Sequence, residues 1–238
     1  MADGKTVYSL IYDIYEELNI NADDTSFSQE WIIEKILDRR VQWINHVNNK
    51  NRDLDPVLIQ VIPCVELTEV DVAECCDVVT GCYIKRTLNR VPNAIQLHHK
   101  KLYTQVSGVG IDAKPENIIT YINRDRAKWW GNSVYNTKEI ATFWLNGYLY
   151  FIARDNFYLS VLEKVRVEMV AENPIDLAES LDCSGKPCWT WDSEFPISRQ
   201  MWTWMKEDIL KDMRNKLSLS EDDREDNKDN NIPDNNNP

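Results

Sequence analysis

The stretch that decides the fold is Phe195–Leu219, FPISRQMWTWMKEDILKDMRNKLSL. Met201, Met205, Ile209, Met213 and Leu217 recur every fourth residue, and Trp202 and Leu210 widen the row. That period predicts an amphipathic helix of about six turns with one apolar face. Pro196 and Ser198 stand where a helix starts. Lys211, Arg214 and Lys216 place positive charge near its end, where the helix dipole favours it. Such a helix is not stable alone in water, so its apolar row requires a partner surface.

Partner surfaces are predicted at the opposite end of the chain. Thr6 is a cap for a first helix, TVYSLIYDIYEELN, with Val7, Leu10, Ile11, Ile14 and Leu18 on one face and Tyr8, Tyr12 and Tyr15 beside it. After the polar turn 19–25 a second helix follows, SFSQEWIIEKILDRRVQWINHV, in which Ser26 and Gln29 have capping-box spacing. Ile33, Leu37, Val41 and Ile44 are its expected inner row, enlarged by Trp31 and Trp43. Residues 1–50 therefore read as an αα-hairpin that the 195–219 helix closes into a small bundle.

Between these ends the period changes. Residues 57–175 break into short apolar runs of β type. Val57–Val65 reads as a strand whose end Pro63 demotes to an edge. Tyr83–Leu88, Ala94–Leu97, Leu102–Val106 and Ile118–Ile122 follow, separated by Asn, Pro and Gly signals. The sharpest signal is Asn146-Gly147 between Ala141–Leu145 and Tyr148–Ile152, the pair that a type I′ hairpin turn demands. Lys164–Val170 alternates charged and apolar residues, and Pro174–Leu181 reads as a short helix. Glu69–Asp77 reads as one or two short helical turns. Residues 220–238, EDDREDNKDNNIPDNNNP after Ser220, hold too little apolar surface to fold unaided and read as an extended acidic tail. The predicted fold class is thus α+β: a small helical bundle from both termini, a β-rich inserted middle domain and an acidic tail.

Charge is unevenly distributed along this plan. The total is −12. Residues 81–128 carry nine Lys/Arg against three Asp/Glu, a net +6, which leaves −18 elsewhere. An acidic total argues against a general nucleic-acid binder, whose affinity comes from cations on phosphates. It permits self-association in which a basic middle meets an acidic neighbour. Arg124, Arg126, Lys128, Trp129 and Trp130 mix cations with aromatics. They read either as a single-strand nucleic-acid surface or as a subunit interface with Arg and Trp anchors, and the overall acidity favours the interface.

Chemistry-bearing motifs are sparse. Cys183 and Cys188 have a spacing that zinc ligands can use, but Cys64, Cys75, Cys76 and Cys82 supply no tight second pair. The cysteines read as thiols of a protein made in a cytoplasm. No nucleophile elbow, zinc-peptidase helix or glycine-rich phosphate loop occurs, and the three histidines show no catalytic pattern. No catalytic residue, metal or cofactor is expected. No apolar run approaches the ~20 residues of a membrane span, so no membrane partner is expected either.

In its opening YSLIYDIYEELNINADDTSFSQEWIIEKILDRR, its middle VIPCVELTEVDVAECC with IKRTLNRVPNAI, and its closing FPISRQMWTWMKEDILKDM with the Asp/Asn-rich tail, the chain resembles the head–tail connector (adaptor) ring proteins of short-tailed bacteriophages, in the version carried by crAss-like phages. The resemblance implies a virion structural protein of the neck, assembled in the bacterial host cytoplasm. It would form a homo-oligomeric ring, a dodecamer if it follows the family, that docks on the portal protein and meets other neck and tail ring proteins. Genomic DNA would pass through its lumen during ejection without specific binding. On that reading Trp202, Trp204, Leu219, Ile232 and Pro233 are the portal-docking candidates. The alternative is an acidic soluble binding protein that engages a host nucleic-acid-binding protein.

Overall fold

Asn146 and Gly147 both adopt positive φ, at 52° and 87°, and so turn the chain between two strands that pair in full register from Leu145–Tyr148 back to Ile140–Ala153. This is the predicted type I′ hairpin. In the computed structural model, which describes residues 5–18, 27–48, 55–70, 83–97, 103–109, 118–130, 134–136 and 138–229, it lies within a seven-stranded sheet. The strands are β1 (Gln60–Glu69), β2 (Tyr83–Thr87), β3 (Tyr103–Gly108), β4 (Thr120–Tyr121), β5 (Ile140–Leu145), β6 (Tyr148–Ala153) and β7 (Lys164–Met169).

The strand order is β3-β7-β1-β2-β6-β5-β4, antiparallel except for the parallel β4–β5 pair. The two edge strands also approach each other. Ser107 and Ile118 form an isolated bridge, the Ile119 amide donates to the Val106 carbonyl at 2.8 Å, and the rings of Tyr103 and Tyr121 lie 5.7 Å apart. The sheet therefore nearly closes on itself, which removes most of its exposed edge.

β1 is the strand that makes this curvature possible. Its first part, Gln60 to Glu66, pairs with β7, and its last three residues pair with β2. The register shifts between Ile62 and Val65, at Pro63-Cys64. Proline has no N–H for a ladder, so a bulge is where a strand tolerates it, and bulges bend strands. The expected edge strand is thus an interior strand with a bulge.

Buried apolar residues line the sheet. On one face Ile84, Ala141, Phe143, Tyr150 and Ile152 form a cluster with Ile122 and Ala127. Phe143 and Tyr150 stack with centroids 5.4 Å apart. On β7, Val165, Val167 and Met169 are fully buried while Lys164, Arg166 and Glu168 alternate with them, as read from the sequence. Cross-strand, Lys164 pairs with Glu66 at 2.9 Å. The remaining elements of this unit, which spans 44–196, are short: α3 (Arg124–Trp130), α4 (Asn156–Ser160) and 3-10 turns at Pro56–Leu58, Val134–Asn136 and Pro174–Glu179. Ala94 makes a single bridge to Ala171 rather than a strand. Glu69 and Val70 aside, the 69–77 segment lies outside the described residues.

The second unit joins residues 1–43 and 197–238. It holds α1 (Val7–Glu17), most of α2 (Gln29–Asn48) and α5 (Arg199–Asp229). Thr6 caps α1 by accepting from the Ser9 amide, and Ser28 caps α2 through the Trp31 amide, while Ser26 lies outside the described residues. The α5 row Met201, Met205, Ile209, Met213 is fully buried, with Trp202 and Leu210 beside it. Polar links tie the three helices: Arg39 of α2 pairs with Asp208 and Asp212 of α5 at 2.8 and 2.6 Å, and Lys206 of α5 with Glu17 of α1 at 2.9 Å. The Trp202 indole donates to Asp13, which also pairs with Lys5. Burial opposes ionisation of Asp13, but these hydrogen bonds outweigh it and hold its pKa below the ordinary carboxylate value. On α2 the buried row is Ile32, Ile36, Arg40, Ile44, one residue before the expected Ile33, Leu37 and Val41, which are half-buried. Arg40 is fully enclosed there, and desolvation pushes its pKa down to about 9.

The α+β class stands, but the arrangement expected within it is corrected. The fold is not a helical-bundle core bearing an insert: its larger unit is the seven-stranded near-barrel, closed by its own pairings and filled by its own core. The pairings that build it join residues near 60 and near 105 to residues near 167, and no local signal in short strands specifies such partners. The extended tail is corrected as well, because α5 continues through residues 220–229. No Gly or Pro interrupts the chain between Arg199 and Asp229, so nothing local stops the helix.

Candidate assembly surface

The RDRAKWW segment folds as α3, with the Asn123 carbonyl accepting from the Arg126 and Ala127 amides at 2.9 and 3.2 Å. Ala127 is fully buried and Trp130 packs on the Phe143–Tyr150 cluster. These two residues, three apart, fix the inner side of the helix. Arg124, Arg126, Lys128 and Trp129 are exposed, Trp129 at 71%. Tyr135, in the following 3-10 turn, is 94% exposed. A helix anchored on the sheet core thus displays Arg124, Arg126, Lys128 and Trp129 beside Asp125, and Arg and Trp are residue types that anchor protein interfaces.

The rest of the basic middle does not share that face. Lys85 is buried, and its ammonium donates to the carbonyls of Ser160 and Leu162 at 3.2 and 3.1 Å. Arg86 lies over the Tyr148 ring at 4.4 Å. Hydrogen bonds from Arg90 and Arg86 hold the Tyr148 phenol below its ordinary pKa. The described cations of the +6 segment are therefore divided among a core strut, a pair at the β5–β6 turn, and α3. Lys100, Lys101 and Lys114 lie outside the described residues.

The portal-docking candidates are likewise separated. Trp202 is only 5% exposed and bonded to Asp13, which gives it a packing role, whereas Trp204 is 43% exposed on α5. The side chain of Leu219, and Ile232 and Pro233 altogether, lie outside the described residues.

The expectation of free thiols is corrected at one pair. Cys64, in the β1 bulge, is disulfide-bonded to Cys183, with Cα atoms 5.1 Å apart. That distance lies inside the roughly 4.4–6.8 Å a bridge allows. The near-barrel brings together residues 119 apart in sequence, a proximity that cysteine spacing alone does not reveal. Cys183 is thereby taken from the pair considered for zinc. Cys188 is free and half-buried; burial and Asp182 push its thiol pKa up. Closing so long a loop constrains the unfolded chain, so reduction, or Cys64→Ser, should cost about 2–4 kcal/mol. Urea midpoints of the intact chain with and without reductant measure this, and equal midpoints contradict it.

Two concave features flank these elements. A cleft of about 320 Å³ beside the disulfide is lined by Ile62, Arg90, Lys164 and Asp182 among others. A second groove, also about 320 Å³, lies between the β5–β6 turn and the 174–179 turn, lined by Asn93, Trp144, Gly147, Asp176 and Glu179 with Arg90. Among the described residues no cluster of His, Cys, Asp and Glu could hold a metal ion. No helix among them is long and apolar enough to cross a membrane.

The family described as phage tail ring protein 2 matches residues 9–234, nearly the whole chain. The chain belongs to this family. Among curated proteins it is similar to "Ring protein 2" of Bacteroides phage crAss001, at 27% identity over 224 residues, 88% of this chain and 90% of that protein. As a crAss-like phage ring protein it is a structural component of a phage tail, and its family is not one of enzymes. The connector resemblance noted in the sequence is thereby confirmed at the level of a crAss-like phage ring protein.

Proposed function

We propose that this ring protein is a subunit of the neck between capsid and tail: it docks on the portal, extends the DNA channel and supports attachment of the next tail component. The observation that carries this reading is α3, a helix seated on the sheet core that turns Arg124, Arg126, Lys128 and Trp129 outward. A closed ring needs a side-by-side contact of this kind on every copy. Twelve copies are proposed, following the family. The lumen carries acids rather than Lys and Arg, because cations would hold DNA by counterion release and slow its passage. The −18 outside the basic segment suits that lining. The portal is met by α5 and the residues after it, with Trp204 near the start of the helix and Leu219, Ile232 and Pro233 toward and beyond its far end as contacts.

Truncation after Leu217 tests the portal contact. The shortened chain should lose the helical signal of residues 218–229 yet keep the near-ultraviolet spectrum of its packed tryptophans. It should fail to join portal-containing particles. Normal incorporation into such particles would show that the removed segment makes no docking contact.

A further inference from the structure

A ring contact is head-to-tail, so α3 must meet a different surface on the next copy. That surface has to be acidic, and it has to contain a recess for an indole. Resting on the ring reading above, we infer that it is the groove between the β5–β6 turn and the Pro174–Glu179 turn of the neighbouring copy, and that Trp129 is the residue it receives.

Three observations meet there. The groove has a volume of about 320 Å³, at the lower end of pockets that enclose a ligand group, so an aromatic side chain is a fitting occupant. Its wall includes Asp176 and Glu179, with Glu172 close enough to act on Asp176. Burial and the charges of Glu179 and Glu172 push the Asp176 carboxyl pKa up, so the acids crowd one another there. α3 has the opposite net sign: Arg124, Arg126 and Lys128 outnumber Asp125 on the helix that exposes Trp129. Arg90 also lines the groove and provides a cation on which an indole can stack. Charge and size thus match a recess walled by Asp176 and Glu179, with Glu172 near them, to a net positive helix that projects an indole. The aromatic–Arg core and charged rim are the layout of a protein interface hot spot.

Charge exchange between chains tests this. Arg124→Glu with Arg126→Glu, and separately Asp176→Lys with Glu179→Lys, should each abolish ring formation by purified chain while leaving the circular dichroism spectrum unchanged. Mixing the two variants should restore rings, because each reversed α3 then faces a reversed groove and each unreversed α3 an unreversed groove. A chain carrying all four substitutions should also form rings. Trp129→Ala should remain defective in every combination. If the α3 reversal breaks rings but the groove reversal does not, or if mixing restores nothing, the groove is not the acceptor, although α3 remains an interface. If the unaltered chain forms no ring, the ring reading itself falls.

Discussion

Phe143→Ala is expected to destabilise the near-barrel by about 3–5 kcal/mol, the cost of emptying a fully buried aromatic site. Phe143 is completely enclosed on β5, stacks on Tyr150 and sits in the cluster that also receives Ala127 and Trp130 of α3. The loss is a large share of the roughly 5–15 kcal/mol that holds a typical domain folded. Urea unfolding followed by tryptophan fluorescence should show the midpoint collapsing for Phe143→Ala and moving much less for Phe143→Leu. Because α3 rests on the same cluster, assembly should fail under conditions in which the variant is still mostly folded. A midpoint within about 0.5 kcal/mol of the unaltered chain would contradict the packing described.

Trp129→Ala is expected to do the reverse. Trp129 is 71% exposed, so its removal should leave folding stability within about 0.5 kcal/mol. A tryptophan anchor at an interface typically contributes about 2 kcal/mol or more, roughly a 30-fold weaker contact when it is lost. A ring multiplies this, because every copy makes the contact on both sides. The concentration at which light scattering detects assembly should therefore rise by well over an order of magnitude. An unchanged assembly threshold would mean that α3 is not at the subunit contact.

These two residues also mark what the sequence made legible. Local signals survive folding: the Thr6 cap, the Asn146-Gly147 turn, the alternation on β7 and the Met201–Met213 row all appear where their spacing placed them. Signals that depend on tertiary context did not. The α2 row was displaced by one residue because Arg40, counted as polar, occupies an enclosed position that periodicity reserved for an apolar side chain. Pro63 pointed to an edge, yet the bulge lets β1 run through the interior of the sheet. Cys64 and Cys183 became partners only once the near-barrel set them side by side. The residues Arg124 to Trp130, proposed as an interface, were visible as a composition, while the groove with Asp176 and Glu179 is assembled from three separate segments and has no linear signature.

Mass photometry with negative-stain imaging of the purified chain shows whether it assembles. Closed rings are expected, with a mass that is a whole multiple of the chain mass, favoured at low salt because charged contacts are screened as salt rises. A single species at the mass of one chain, at every concentration and salt tested, would contradict that expectation.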